Sequence, residues 1–112
     1  MFAVNKDVSS NPCGEGVTRK LLGRGGNLML VEVTFKKGAV GVLHAHSHEQ
    51  VSYIANGSFE FEINGEIMLI TKGDSVYIPP NNPHGTLSLE ENSIIVDIFT
   101  PQREDFLEQD YR

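Results

Sequence analysis

Residues 58 to 70 read SFEFEINGEIMLI. Phe59, Phe61 and Ile63 alternate with Glu60 and Glu62, so an extended chain turns apolar side chains to one face and carboxylates to the other. Asn64-Gly65 then supplies two residues that tolerate positive φ, as a two-residue type I′ turn requires, and Glu66 to Ile70 returns antiparallel. The stretch specifies one hairpin with its charged face toward water.

The same rhythm continues in both directions. Turn signals at Gly23 to Gly26, Lys37-Gly38, Asn56-Gly57, Lys72 to Asp74, Pro79 to Pro83 and Glu90 to Asn92 separate short runs rich in β-branched and aromatic residues. Strands are predicted over Val17 to Leu22, Leu28 to Phe35, Val40 to His46, Val51 to Ala55, Ser75 to Ile78, Thr86 to Leu89 and Ser93 to Phe99. Only the end differs: Thr100 can cap a helix with Pro101 at its first position, predicting a short C-terminal helix over about 101–110. Short strands without crossover helices indicate an all-β sandwich or barrel with antiparallel connections, its core over about 17–99. No linker or solenoid repeat is evident, and the expectation is a single domain over 1–112.

Composition fits a folded protein: 39% hydrophobic and 21% charged residues in a chain of 112. Cys13 is the sole cysteine, so no intramolecular disulfide forms and nothing points to an oxidising compartment. The start, MFAVNKDVSSNP, lacks a charged segment followed by a long apolar core, and no stretch approaches membrane-spanning length. A cytoplasmic protein without a membrane partner is the expectation. The net charge of −6, with basic residues scattered, would repel a phosphate backbone and argues against a nucleic-acid partner. An anionic small molecule needs a local cation to receive it.

All four histidines fall in two places: His44, His46 and His48 in HAHSHEQ (44–50), and His84 in PPNNPH (79–84). Such clustering suits a metal-ligand set better than packing. On a strand, His44 and His46 share a face. His48 has the parity of a third inward ligand but lies where the chain is expected to bend, which favours a place behind the ligands or at the surface. Glu49 has the wrong parity.

Reading outward, Gly38, His44, His46, Gln50 and Gly57 are followed, after fifteen intervening residues (Ser58 to Lys72), by Gly73, Pro79 and His84. In this order and spacing the chain resembles the cupin family. The resemblance implies a double-stranded β-helix, a jelly-roll-like barrel, with a metal in its mouth. Carried over by position, the ligands are His44, His46 and His84, with Gln50 where most cupins have Glu. Asn81 replaces a usual Gly and Ser88 a usual Asn; Asn81 still permits a left-handed backbone. With three imidazoles and an amide, a divalent ion keeps its full charge and acts as a stronger Lewis acid and anion receptor than beside Glu. The opposite reading, a decayed site marked by Gln50, sits poorly with three histidines kept in register. The ion would be nickel, zinc, iron, cobalt or manganese.

Asp97 interrupts the apolar run IIVDIF (94–99), a costly placement unless it faces a polar cavity, the other reading being that it sits on an edge or pairs structurally with a neighbouring base. On the strand pattern the two readings are even. Arg103 reads either as a solvated helical arginine or as a rim group able to grip a carboxylate bidentately. DIFTPQREDF (97–106) and HAHSHEQ together resemble one cupin subgroup, the pectin-degradation proteins that linearise 4,5-unsaturated uronates. That resemblance implies roles in turnover for Asp97, Phe99 and Arg103, Gln50 as a ligand, and a small anionic sugar acid as substrate. No redox change or organic cofactor is implied. Family analogy also implies a homodimer that exchanges or packs the segment before Val17. Two other readings stay open: a metal-dependent oxygenase, and a non-catalytic sugar-binding or sensory cupin.

Overall fold

The hairpin expected from SFEFEINGEIMLI is present in the computed structural model of the protein, which describes residues 1–110. Asn64 and Gly65 adopt φ of 51° and 83°, so both residues take the left-handed conformation that the turn demands. In chain order the strands are β1 (Asn11–Gly14), β2 (Val17–Gly25), β3 (Leu28–Phe35), β4 (Val40–His44), β5 (Glu49–Asn56), β6 (Ser58–Ile63), β7 (Glu66–Thr71), β8 (Ser75–Ile78), β9 (His84–Ser88) and β10 (Ser93–Thr100). A 3-10 turn at Asn5–Asp7 precedes them and helix α1 (Glu104–Asp110) follows.

The strands form two antiparallel sheets, ordered β1-β2-β3-β10-β5-β8 and β4-β9-β6-β7. Their inner faces enclose Val17, Phe35, Ile54, Phe59, Phe61, Ile70, Ile78 and Ile95. Phe35 meets Phe59 edge to face at 5.0 Å, the arrangement that ring quadrupoles favour. Burying each such side chain contributes about 1.5–3 kcal/mol. A second apolar group, Leu21, Met29, Val31 and Phe99, packs under Phe106 and Leu107 of α1, so the helix is seated by burial.

The elements depart from the sequence expectation in four places. β1 is an added edge strand; NPCG contains Pro12 and Gly14, which argue against a strand by composition but are tolerated where one side of the ladder is unpaired. β4 ends at His44 rather than His46, because the chain bends over 45–48 before entering β5. β9 begins at His84, two residues before its predicted start. The helix begins at Glu104, not Pro101. Thr100 is still paired with Glu49 in the β10–β5 ladder, and Arg103 O receives the first amide hydrogen bonds of the helix from Phe106 and Leu107.

Candidate metal centre

Two neighbouring strands and a bend bring the histidines together. His44 closes β4 and lies opposite His84, the first residue of β9, in the antiparallel register. Gly85 permits this closeness: a β-carbon there would lie 3.0–3.1 Å from the backbone of Gly41 and Leu43. The loop before His84 turns at Asn81, whose φ of 64° is the left-handed value its sequence allows, and Asn81 N–H donates to His46 O at 2.7 Å. This bond ties the second motif to the first. The ligand-capable nitrogens of His44, His46 and His84 lie within 4.8 Å of one another, a group compatible with a divalent metal ion.

The hydrogen bonds fix which ring nitrogens are available. Nδ1 of His44, His46 and His84 sits 2.8, 3.1 and 2.9 Å from the carbonyls of Val42, His48 and Asn82. A carbonyl only accepts, so each Nδ1 carries the proton and each Nε2 presents a lone pair. Nε2 of His84 is buried without a hydrogen-bond partner among the described residues. Nε2 of His46 lies 2.8 Å from Gln50 Oε1. The Gln50 amide cannot be turned around, because its Nε2 donates to Asp97 Oδ1 at 3.0 Å and to Ser52 Oγ at 2.9 Å. In neutral His46 two lone pairs thus face each other across 2.8 Å, an arrangement that either a proton on Nε2 or a metal cation between them relieves. Ligands at about 2.1 Å from one ion sit close together in this way. The donor set fits a divalent metal.

Burial favours the neutral form of two of these histidines, His84 and His46. Burial pushes the His84 imidazole down to about 4, outweighing the Asn82 carbonyl, and burial also lowers His46. Protons therefore compete weakly for the buried nitrogens at neutral pH. His48 is not in the group. Its ring packs edge-on to His46 at 5.4 Å and toward Phe99 at 6.5 Å, behind the ligands as its position in the bend suggested.

Asp97 projects from β10 into the same cavity, which has a volume of about 760 Å³ and is also lined by His44, Gln50, His84, Phe99 and Arg103. Ser52 Oγ donates to Asp97 Oδ1 at 2.6 Å. Burial raises the carboxyl to about 6, against the lowering effects of Ser52, Gln50, Arg103 and His44. Asp97 does not sit on a sheet edge, since β10 lies between β3 and β5. Phe99, 2% exposed, stands between His46 (5.7 Å) and Phe106 (5.7 Å). Arg103 is buried at the rim and not solvated on a helix face.

Three residues at the site went unremarked in the sequence. Ser52 occupies an inward position of β5 beside Ile54 and is 1% exposed. Arg19 lies between the inward Val17 and Leu21 of β2 and lines the cavity, the same charge-in-an-apolar-row signal that drew notice to Asp97. Asp105 lies within the DIFTPQREDF run but was given no role of its own; it is exposed and pairs with Arg103.

A cupin domain model matches residues 31–99. The chain is a cupin. The curated pectin degradation protein KdgF of Dickeya dadantii is 45% identical over 107 residues, 95% of this chain and 97% of that protein. Among solved structures, KdgF from a Halomonas species superposes with a TM-score of 0.91 at 36% identity, covering 95% of this cupin and 97% of that chain. An RmlC-like cupin from Shewanella frigidimarina gives 0.89 at 40% identity, covering 94% of each. No helix of this cupin, among the described residues, is long and apolar enough to cross a membrane.

Proposed function

We propose that this cupin binds one divalent transition metal ion through His44, His46, His84 and Gln50 and converts a 4,5-unsaturated monouronate to the linear 5-keto-4-deoxyuronate. The observation that carries this reading is the path His46–Gln50–Asp97: one amide turns its oxygen to the metal ligands and its nitrogen to a carboxylate poised near neutrality. The near full-length likeness to pectin degradation proteins supports the same substrate class.

The substrate has a hemiacetal at C1 and a ring oxygen that belongs to a C4–C5 enol ether. Asp97 accepts the C1 hydroxyl proton; the C1 carbonyl forms as the bond from C1 to the ring oxygen breaks, leaving an enolate at C5. Returning the proton to C4 makes the 5-ketone, so every atom and charge is conserved. A carboxyl at about 6 can take and return a proton near neutral pH, a role typically worth about 10²–10⁴-fold. When bound, the ion supplies a double positive charge to the uronate carboxylate and the oxygen beside it. Arg103 adds a second cation for the carboxylate, and Phe99 walls the ring face.

The reading includes a homodimer. Val51, Tyr53, Tyr77 and Ile98 are exposed on the outer face of the larger sheet, Val51 lying beside both Tyr77 and Ile98, and Met1 and Phe2 are fully exposed.

Incubating metal-loaded protein with the unsaturated monouronate under argon, followed by proton NMR, tests the reaction. The vinyl proton at C4 is expected to disappear as the ketone forms. Turnover only in the presence of oxygen would instead favour an oxygenase, and binding without product a sugar-binding protein.

A further inference from the structure

Arg103 reaches the cavity with one of its edges already engaged. Its Nε and Nη2 donate to Asp105 Oδ1 and Oδ2 at 3.0 and 2.9 Å, a bidentate fork. The faces are covered too: the guanidinium carbon lies 4.1 Å from the Phe106 ring centre and 5.1 Å from that of Phe99, and the residue is 8% exposed. Phe106 is itself clamped, since the Arg19 guanidinium lies 3.8 Å from its ring centre while Arg19 Nη2 donates to Gln109. The charge of Arg103 acts on Asp97, His46 and His84. Arg103 lines the cavity, and its remaining edge, the Nη1 hydrogens and the outer Nη2 hydrogen, is the one not taken by Asp105.

We infer that Asp105 is a positioning residue for Arg103: by holding the Nε–Nη2 edge, it fixes the opposite edge of the guanidinium in the cavity, ready to grip a sugar-acid carboxylate. The inference rests on the uronate reading given above. An arginine side chain has many rotamers, and ordering it only when the ligand arrives would weaken binding. A carboxylate held in place beforehand removes that cost. Asp105 suits the task because its side chain is 59% exposed, so it adds little to core packing. The opposite arrangement is that Asp105 occupies the place of the substrate carboxylate and must be displaced. It predicts the reverse effect of removing Asp105.

The test is a double-mutant cycle in binding, with nickel-loaded protein and saturated galacturonate as the probe in titration calorimetry. Asp105→Ala is expected to weaken galacturonate binding on the order of tenfold, and to change it by less than about twofold when Arg103 is already alanine. Asp105→Asn, which keeps the side-chain shape, is the second variant should the alanine protein fail to fold, and it is expected to move binding in the same direction. Metal content and melting temperature, read alongside, are expected to match wild type. Unchanged or tighter binding, an equal loss in the Arg103→Ala background, or no galacturonate binding by the wild-type protein would overturn the inference. Turnover of the unsaturated uronate is scored separately. Turnover with an additive cycle removes only the role of Asp105, whereas a coupled cycle without turnover removes only the reaction.

Discussion

Gln50 is the residue that links the proposed metal site to the proposed acid–base group, its amide bonded to His46 on one side and Asp97 on the other. A glutamate in its place would set a second carboxylate about 3 Å from Asp97, with no N–H to offer it. Like charges that close cannot both ionise freely, so Gln50→Glu is expected to retain metal, to shift the acidic limb of the pH–rate profile upward, and to weaken uronate binding on the order of tenfold. Equal or tighter uronate binding would contradict the charge argument. Asp97→Asn is expected to lower turnover by about 10²-fold or more with metal content intact. The same substitution has a stability consequence. The folded carboxyl sits near 6 and the unfolded one near 3.8, so between these values the native state holds the extra proton and loses stability as pH rises. Below that window the penalty is absent, and above it the penalty is complete. Metal-free Asp97→Asn should therefore gain on wild type between pH 3.5 and pH 7.5, by about 3 kcal/mol in denaturant unfolding. The histidines and Asp97 were legible because their types are rare in their settings. The Gln50–Asp97–Ser52 link was not, since alternation along a strand gives the face a residue occupies but not the donors it meets from another strand.

At the scale of elements, the loop from Pro79 to Pro83 governs His84. Asn81 holds a left-handed backbone there and bonds His46, so the loop aligns the histidines of both motifs. Asn81→Ala is expected to cost about 1 kcal/mol and to reduce metal affinity, while Asn81→Gly leaves both near wild type; thermal melts and metal titration of the two variants distinguish them. The Asn64-Gly65 hairpin and the Asn81 turn were readable because a left-handed backbone restricts the side chain so strongly. Strand ends were less so. β4 stops at His44 although His46 keeps strand parity, because pairing with β9 ends opposite His84 and no partner continues the ladder. α1 starts late for a similar reason: Thr100 and Pro101 carry a helix-start signal, but the β5 partner of Thr100 keeps it extended. β1 is hidden by its proline and glycine, whose cost falls away at an edge.

For the whole molecule, the net charge of −6 means that the proposed uronate substrate needs a local cation in the cavity to draw it in, and the proposed metal would supply one. A metal that binds the assembled site and not the separate ligand segments of the unfolded chain should add about 2.7 kcal/mol of stability at saturation of 100 times Kd, and chelation should remove it. A scanning melt with and without nickel measures this. Light scattering is expected to give twice the 12.4 kDa chain mass, in keeping with the exposed apolar outer face. The ligand geometry can be seen directly by anomalous diffraction from crystals grown with a divalent transition metal. The expected peak is bonded to Nε2 of His44, His46 and His84 and to Oε1 of Gln50. No peak there, or an ion that leaves the Gln50 amide untouched, would contradict a metal centre built from uncharged donors.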